Sequence, residues 1–195
     1  MTLKRKDKAC RVCKKIFTPQ YNATGQIVCS WECAIEQSRQ KQQKAAEKAQ
    51  KKRDAKERDN LKPRSRRIAE AQVAFCRYIR ARDYGKPCIS CGSWSGDIKF
   101  GGATDCGHYR STGAAPHLRY CTWNAAGQCV KCNRYLSGNV VEMRKGMIER
   151  FGLDRVEWVE NNNDVRKFDI DYLKRVKTIF TKKARMVEKR KGFVR

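Results

Sequence analysis

Eleven cysteines give this sequence its most specific chemical pattern. Most of them form closely spaced pairs, which group into two tetrads: Cys10, Cys13, Cys29 and Cys33, then Cys88, Cys91, Cys129 and Cys132. A two-residue spacer lets both sulfurs of a pair reach one ion, and four thiolates suit tetrahedral zinc. The odd number and short spacing of the cysteines favour metal-bound thiolates in a reducing cytoplasm over disulfides. We therefore predict two structural zinc sites.

The segment framed by the second tetrad also contains the residue types that phosphodiester hydrolysis needs. A neutral imidazole can take a proton from water near pH 7, which makes His108 a candidate base. A carboxylate and an amide oxygen can hold Mg²⁺ or Mn²⁺ on a phosphate, and Asp105 with Asn133 could form this site. The alternatives are a turn or hydrogen-bonding role for Asp105 and a structural role for His108. The other histidine, His117, is expected to be a bystander.

These side chains converge only if a β-hairpin and a helix position them. Residues 103–109 and 118–123 are predicted as the two strands, with a loop between them and a helix that begins near Val130. Residues three apart on an ideal strand point to opposite faces, so Asp105 and His108 need a bulge, which Gly107 permits. Four basic residues surround this segment and are candidates for contacts to DNA phosphates: Arg110, Arg119, Lys131 and Arg134.

Charge separates the centre of the chain from its flanks. The sequence has 45 Lys and Arg against 20 Asp and Glu, a formal net charge of +25. Residues 68–164 are close to balance, with 13 basic and 10 acidic side chains. Polyanions are the expected partners, because each neutralised phosphate releases condensed counterions. We expect the basic flanks to grip backbone phosphates while the centre does more specific chemistry.

The remaining pattern is mainly helical. Residues 34–62 have good helix formers and few apolar side chains, which predicts an exposed helix or a semi-rigid linker. Amphipathic helices are predicted over residues 66–82, 140–151, 153–161 and 165–189. The last contains an apolar stripe that suits core packing or a dimer contact: Val165, Phe168, Tyr172, Val176, Ile179 and Val187. No apolar run is long enough to span a membrane.

The order of these motifs resembles a known group of nucleases. Cys-x-x-Cys, then Gly-His, then Asn, then Cys-x-x-Cys-Asn resembles the HNH, or ββα-metal, nucleases, including the recombination endonuclease VII family of phages. The strings DCGHY at residues 105–109 and QCVKCNRYLSGN at residues 128–139 are most similar to the NinG (Rap) recombination proteins of lambdoid phages. This resemblance covers nearly the whole chain.

The resemblance implies a role for each matching residue. His108 would be the general base, Asn124 would orient the loop that carries it, and Asn133 would be a metal ligand. The second cysteine tetrad would hold structural zinc. Many HNH nucleases place the metal-binding acid directly before the base, whereas this sequence has Gly107 there, so Asp105 matches the pattern less well.

The resulting prediction is an α+β fold in three parts. Residues 1–35 would form a zinc-finger-like module with four cysteine ligands, residues 36–65 a charged helical linker, and residues 66–195 an HNH-like ββα-metal core with flanking amphipathic helices and a basic C-terminal helix. The resemblance implies a structure-selective endonuclease that acts on branched DNA, such as Holliday junctions and D-loops, in the bacterial host cytoplasm. Other recombination proteins are expected partners, and two symmetric cuts in a junction would suit a homodimer.

Two other functions are consistent with the same composition. A zinc-dependent DNA-binding protein without catalysis, such as a regulator or recombination accessory factor, would have the same tetrads and charge. It would not need Asp105, His108 and Asn133. An RNA-binding zinc protein is the third possibility, although no aromatic strand motif of the RNP type is visible.

Overall fold

The computed structural model describes residues 6–20, 25–94 and 104–192. It is a helix-rich α+β structure with two small two-stranded sheets. Its chain contacts define two compact units, Met1–Lys62 and Pro63–Arg195. Among the described residues, no helix is both long enough and apolar enough to cross a membrane.

The described part of the first unit contains a small hairpin and one long helix. Strands β1 (Lys8–Ala9) and β2 (Ile16–Phe17) pair antiparallel, and helix α1 covers Trp31–Asn60. The hydroxyl of Ser30 caps α1 by accepting a hydrogen bond from the backbone N–H of Cys33. None of the α1 residues is buried, so the predicted exposed helix over residues 34–62 is confirmed.

Over its described residues, the second unit contains four helices and one hairpin. Its elements are α2 (Arg64–Asp83), β3 (Thr104–His108), a 3₁₀ turn (Pro116–Leu118), β4 (Ala125–Cys129), a π-helical turn (Lys131–Tyr135), α3 (Val140–Phe151), α4 (Leu153–Asn161) and α5 (Ile170–Arg190). The predicted helices over residues 66–82, 140–151 and 153–161 are therefore confirmed. The helix predicted over 165–189 begins only at Ile170, because the Asp169 side chain caps it by accepting from the N–H of Tyr172.

Helices α2 and α5 form the main core of this unit. Phe75 and Ile79 of α2 are fully buried, and they pack in one cluster with Leu173, Val176 and Phe180 of α5. Polar contacts join the two segments at three successive levels: Arg64 to Phe168, Glu70 to Lys177, and Arg77 to Glu188. The residue numbers increase along both segments from one contact to the next, so α2 and α5 run parallel to each other.

The predicted apolar stripe of α5 is correct for core packing, but not at every position. Phe168, Val176 and Val187 are buried, whereas Val165 is 96% exposed and Ile179 is 47% exposed. Val165 precedes the helix and therefore lies outside its periodicity. The buried face follows Leu173, Val176, Phe180, Ala184 and Val187 instead.

The hairpin differs from its prediction in one strand. The first strand was expected over residues 103–109 and is observed at Thr104–His108, while Ala103 lies outside the described residues. The second strand was predicted at residues 118–123, which is wrong, since β4 begins at Ala125. Pro116 and Leu118 instead form a 3₁₀ turn, and successive turn hydrogen bonds continue to Asn124.

No bulge interrupts the described β3–β4 ladder. Every residue of β3 faces one residue of β4, from Thr104 opposite Cys129 to His108 opposite Ala125. The bulge expected at Gly107 is therefore absent, and strand alternation puts Asp105 and His108 on opposite faces of the hairpin. Gly107 meets a different requirement, because a Cβ there would lie 2.3 Å from Oε1 of the buried Gln128.

Candidate functional site

The second cysteine tetrad has the geometry of a zinc site. One ligand sulfur from each of Cys88, Cys91, Cys129 and Cys132 lies within 4.8 Å of the others. Zinc–sulfur bonds of about 2.3 Å in a tetrahedron require sulfurs about 3.8 Å apart. The Cys91 and Cys129 sulfurs are separated by 3.8 Å. This tetrad could therefore hold one zinc ion.

Backbone and side-chain donors point at three of these sulfurs. The backbone N–H of Cys129 lies 3.3 Å from the Cys88 sulfur, and the N–H of Cys132 lies 3.4 Å from the Cys129 sulfur. The Asn139 side chain also donates to the Cys132 sulfur at 3.6 Å. Burial raises the pKa of Cys88, and it raises that of Cys132 to about 12, while these donors act in the opposite direction by favouring the charged form that binds metal.

The first tetrad repeats this arrangement in the first unit. Its four sulfurs also lie within 4.8 Å of one another. The Cys13 and Cys29 sulfurs are 3.4 Å apart, and those of Cys29 and Cys33 are 3.6 Å apart. The N–H groups of Val12 and Cys29 both point at the Cys10 sulfur. Among the described residues, these two tetrads are the groups of three or more His, Cys, Asp or Glu side chains that could hold an ion.

His108 lies at the end of β3, against the core. Its Nε2 is 3.0 Å from the carbonyl oxygen of Arg119, and its ring centroid is 5.7 Å from that of Phe75. Because a carbonyl only accepts hydrogen bonds, Nε2 of the neutral imidazole is the protonated nitrogen and Nδ1 carries the lone pair. Burial lowers the pKa of His108 below its ordinary value of 6.5, so the ring is neutral at pH 7.

Asn124 joins the loop after His108 to the start of β4. Its side chain is fully buried. Its Oδ1 accepts from the N–H of Arg110 at 2.8 Å, and its Nδ2 donates to the carbonyl of Arg110 at 2.9 Å. The Asn124 carbonyl also accepts from the N–H of Tyr109 at 2.8 Å. These bonds fix the backbone directly after His108.

Asp105, Asn133 and Arg134 meet on the other face of the hairpin. The Asp105 carboxylate accepts from Nε and from a terminal nitrogen of Arg134, at 2.7 and 2.9 Å, and from Asn133 Nδ2 at 2.9 Å. The hydrogen bonds from Arg134 are the main cause that lowers the pKa of Asp105, with smaller contributions from Asn133. The carboxylate is therefore ionised, and the Arg134 guanidinium provides its positive partner. In the described part of the chain, no hydrogen bond joins His108 to this group.

Arg110 and Arg119, two of the residues predicted to contact phosphates, donate hydrogen bonds within the protein. The Arg110 guanidinium donates to the carbonyls of Val159, Glu160 and Asn162, at 3.0, 3.2 and 2.6 Å, and so holds the C-terminus of α4. Arg119 donates to the carbonyl of Thr112 at 3.3 Å.

Lys131 and His117 differ in their surroundings. Lys131 is exposed at the start of the π-helical turn. His117 Nε2 lies 2.8 Å from the Asn162 carbonyl, which gives this ring a structural contact.

Two buried polar residues position the hairpin, and sequence reasoning did not identify them. Asp83 at the end of α2 accepts from the Gly127 N–H at 2.8 Å and pairs with Arg82 and Arg150. Gln128 donates to Ser90 Oγ at 2.7 Å and to the Gly138 carbonyl. An Asp before Tyr-Gly at a helix end, and a Gln inside an Ala-Gly strand, were the only traces of these contacts in the sequence.

Comparison with known proteins places the chain in a family. The model of the family described as "Bacteriophage Lambda NinG protein" matches residues 2–190. The chain is similar to proteins named "Protein ninG" from Escherichia phage 933W (35% identical; 89% of this chain and 90% of the relative), Escherichia phage lambda (37%; 88% and 87%) and Salmonella phage P22 (37%; 88% and 88%). No solved structure matches the chain. These similarities over nearly the full sequence show that the chain belongs to the NinG family of bacteriophage proteins.

Proposed function

We propose that this protein is a metal-dependent DNA endonuclease of the HNH type that cuts branched DNA in phage recombination. The observation that carries the proposal is the position of His108. Its neutral imidazole is held by the Arg119 carbonyl through Nε2 at the end of a hairpin framed by a cysteine tetrad. This tautomer leaves the lone pair on Nδ1, and we assign that nitrogen to accept the proton from water.

Asp105 and Asn133 have the donor chemistry for the second requirement, a divalent metal. A carboxylate with an amide oxygen suits Mg²⁺ or Mn²⁺, and such an ion would stabilise charge on the scissile phosphate and the leaving oxygen. The amide nitrogen of Asn133 now faces Asp105, so a turn of that amide would present its oxygen. Arg134, which is 63% exposed in its side chain, must withdraw from the carboxylate for metal to bind and is then available for a phosphate.

The two groups act from opposite faces of one strand. Asp105 and His108 are separated by about 10 Å along β3, because each residue rises about 3.3 Å. The proposal therefore requires the imidazole and the carboxylate to come closer together when a substrate phosphate and its attacking water bind, because a general base must lie within hydrogen-bond reach of that water. Asn124 supports this arrangement because it holds the backbone of residues 109 and 110 in place.

Cutting of an end-labelled four-way junction tests the proposal. With Mg²⁺, the wild type should cut the junction, and EDTA should abolish the cuts. His108→Ala should reduce cutting by at least about 100-fold, on the scale of general base catalysis at about 10²–10⁴-fold. His117→Ala is the matched control, since it removes the other histidine, and it should cut normally. Full activity of His108→Ala would overturn the assigned base.

A second function is favoured if binding occurs without cutting. The charge of +25 and the two tetrads equally support a DNA-binding accessory protein. Tight junction binding with zinc bound and no Mg²⁺- or Mn²⁺-dependent cuts would support that function. Competition with linear duplex DNA and duplex RNA, at one fixed salt concentration, would then define its preferred ligand.

A further inference from the structure

Residues 131–141 present an unusual set of exposed apolar side chains beside Asn133 and Arg134. Tyr135 is 79% exposed and Leu136 is 47% exposed, and they follow Arg134, which pairs with Asp105. Val140 and Val141, at the start of α3, are 47% and 70% exposed. In the described part of the chain, no hydrogen bond or ring contact holds the Tyr135 side chain. Burial within the chain therefore does not explain this tyrosine.

The backbone shortly after Tyr135 adopts an unusual conformation. Ser137, Gly138 and Asn139 all have positive φ values, of 49°, 86° and 42°, which is unfavourable for the two residues that are not glycine.

Hydrogen bonds maintain this conformation. The Gly138 N–H donates to the Cys132 carbonyl at 3.0 Å, and the Leu136 N–H donates to the Lys131 carbonyl at 3.0 Å. Gln128 and Asn139 add side-chain bonds to the Gly138 carbonyl and the Cys132 sulfur. The second cysteine tetrad and β4 thus hold the turn on which Tyr135 lies exposed.

Charge next to the tip indicates the chemistry of its partner. Lys131 and Arg134 lie in the same π-helical turn as Tyr135, and Arg134 keeps most of its side chain in solvent. An exposed aromatic ring in the same turn as two basic side chains matches a nucleotide, because basic groups can contact phosphates while the ring stacks on a base. A fully paired duplex covers both faces of each internal base with its neighbours. A base at a branch point or strand gap leaves a face open.

We propose that Tyr135, with Leu136 beside it, stacks on the open face of a base at a branch point or strand gap and so selects such DNA over linear duplex. This inference rests on the proposed action on DNA and names the feature of the substrate that the site reads. Tyr135 is a specificity residue, separate from the hydrolytic roles of His108 and Asp105. Its contribution belongs to binding and is present without a catalytic metal.

The test measures binding of full-length protein in EDTA-free buffer with Ca²⁺. The DNAs are a four-way junction with 2-aminopurine at the branch point and a gapped duplex with 2-aminopurine in the gap. Tyr135→Ala should weaken binding to both DNAs by about tenfold, the scale of one lost base–aromatic stack, and leave linear duplex binding unchanged. Wild type should quench 2-aminopurine fluorescence. Tyr135→Phe should keep both properties, because it retains the ring.

A second exposed tyrosine provides the control. Tyr84 is 45% exposed at the end of α2, and Tyr84→Ala should bind all three DNAs like wild type. The inference would be overturned if Tyr135→Ala weakened binding to linear and branched DNA equally or did not weaken it at all. A change in the oligomeric state of Tyr135→Ala in light scattering would also overturn it.

The outcome is separable from that of the proposed function. Wild type that quenches 2-aminopurine but makes no cuts with Mg²⁺ would contradict the nuclease proposal and leave the stacking role intact. Wild type that cuts the junction but shows no preference for it in binding would support the nuclease and refute the role of Tyr135.

Discussion

At the scale of single residues, His108 combines two features that depend on each other. Burial against Phe75 makes the ring neutral, and the Arg119 carbonyl selects which nitrogen keeps the proton. The sequence identified His108 from its position between cysteine pairs. It did not identify its carbonyl partner, because backbone acceptors have no sequence pattern. Asp83 and Gln128 were missed for a related reason. Asp83 binds the backbone N–H of Gly127, which is distant in sequence. Gln128 binds the distant side chain of Ser90 and the backbone carbonyl of Gly138.

The lowered pKa of His108 predicts a pH dependence of stability. The folded protein holds the ring neutral, so the stabilisation is complete above the unfolded value of about 6.5. It is lost as the pH falls below about 6.5 towards the lower folded pKa, because the unfolded chain takes up the proton first. Between about pH 7.5 and 5.5, wild type should therefore lose more free energy of unfolding than His108→Gln, measured by urea denaturation at equal zinc. Comparing the two proteins cancels the effects of acid on the cysteines. Equal losses of free energy of unfolding in wild type and His108→Gln would contradict the prediction.

At the scale of elements, helices were predictable and the second strand was not. Apolar residues at helical spacing gave α2, α3 and α4 nearly correctly, because those faces are buried as the period requires. Residues 118–123 have aromatic and branched side chains typical of a strand, yet they form turns. The true strand β4 begins Ala-Ala-Gly-Gln, which has weak strand propensity. These four residues form a strand because all of them are buried, and Ala126 packs against residues of α3 and α4.

The close approach of α3 to the first cysteine pair of the second tetrad predicts an intolerant glycine. A Cβ at Gly146 would lie 1.9 Å from the carbonyl oxygen of Ile89, next to Cys88. Alanine in a helix interior normally stabilises by about 1 kcal/mol relative to glycine. Here the clash is with backbone, so Gly146→Ala should destabilise the protein by about 1–3 kcal/mol. Thermal unfolding measures the change. Gly113→Ala is the control, since its Cβ would meet only Ser111 Oγ at 3.9 Å, and equal behaviour of the two variants would refute the packing.

At the scale of the whole molecule, each compact unit has its own cysteine tetrad. Sequence spacing alone was sufficient to assign both tetrads, because metal-ligand pairs are local in sequence. The sequence predicted three parts with a boundary after residue 65, whereas the chain divides into two compact units after Lys62. The parallel pairing of α2 with α5 was not predicted, since an amphipathic face does not identify its partner.

Two separate tetrads predict two separable zinc ions. Native mass spectrometry should find two zinc ions in wild type and one in either Cys13→Ser or Cys91→Ser. Because metal binding is coupled to folding, Cys91→Ser should lower the unfolding temperature of the second unit. Cys13→Ser should leave that transition unchanged, since its tetrad lies in the first unit. A shared loss of both ions from one substitution would contradict independent sites.

The pairing of α2 with α5 also affects how the chain emerges from the ribosome. The contacts between these segments join residues 104 to 111 positions apart. At about 5–20 residues per second, α2 is synthesised on the order of 10 s before its partner. The tetrad and hairpin can form in that interval, but the apolar face around Phe75 and Ile79 has no α5 to cover it. Nascent chains stalled before residue 170 should therefore recruit chaperones through α2, and release of α5 should end that dependence.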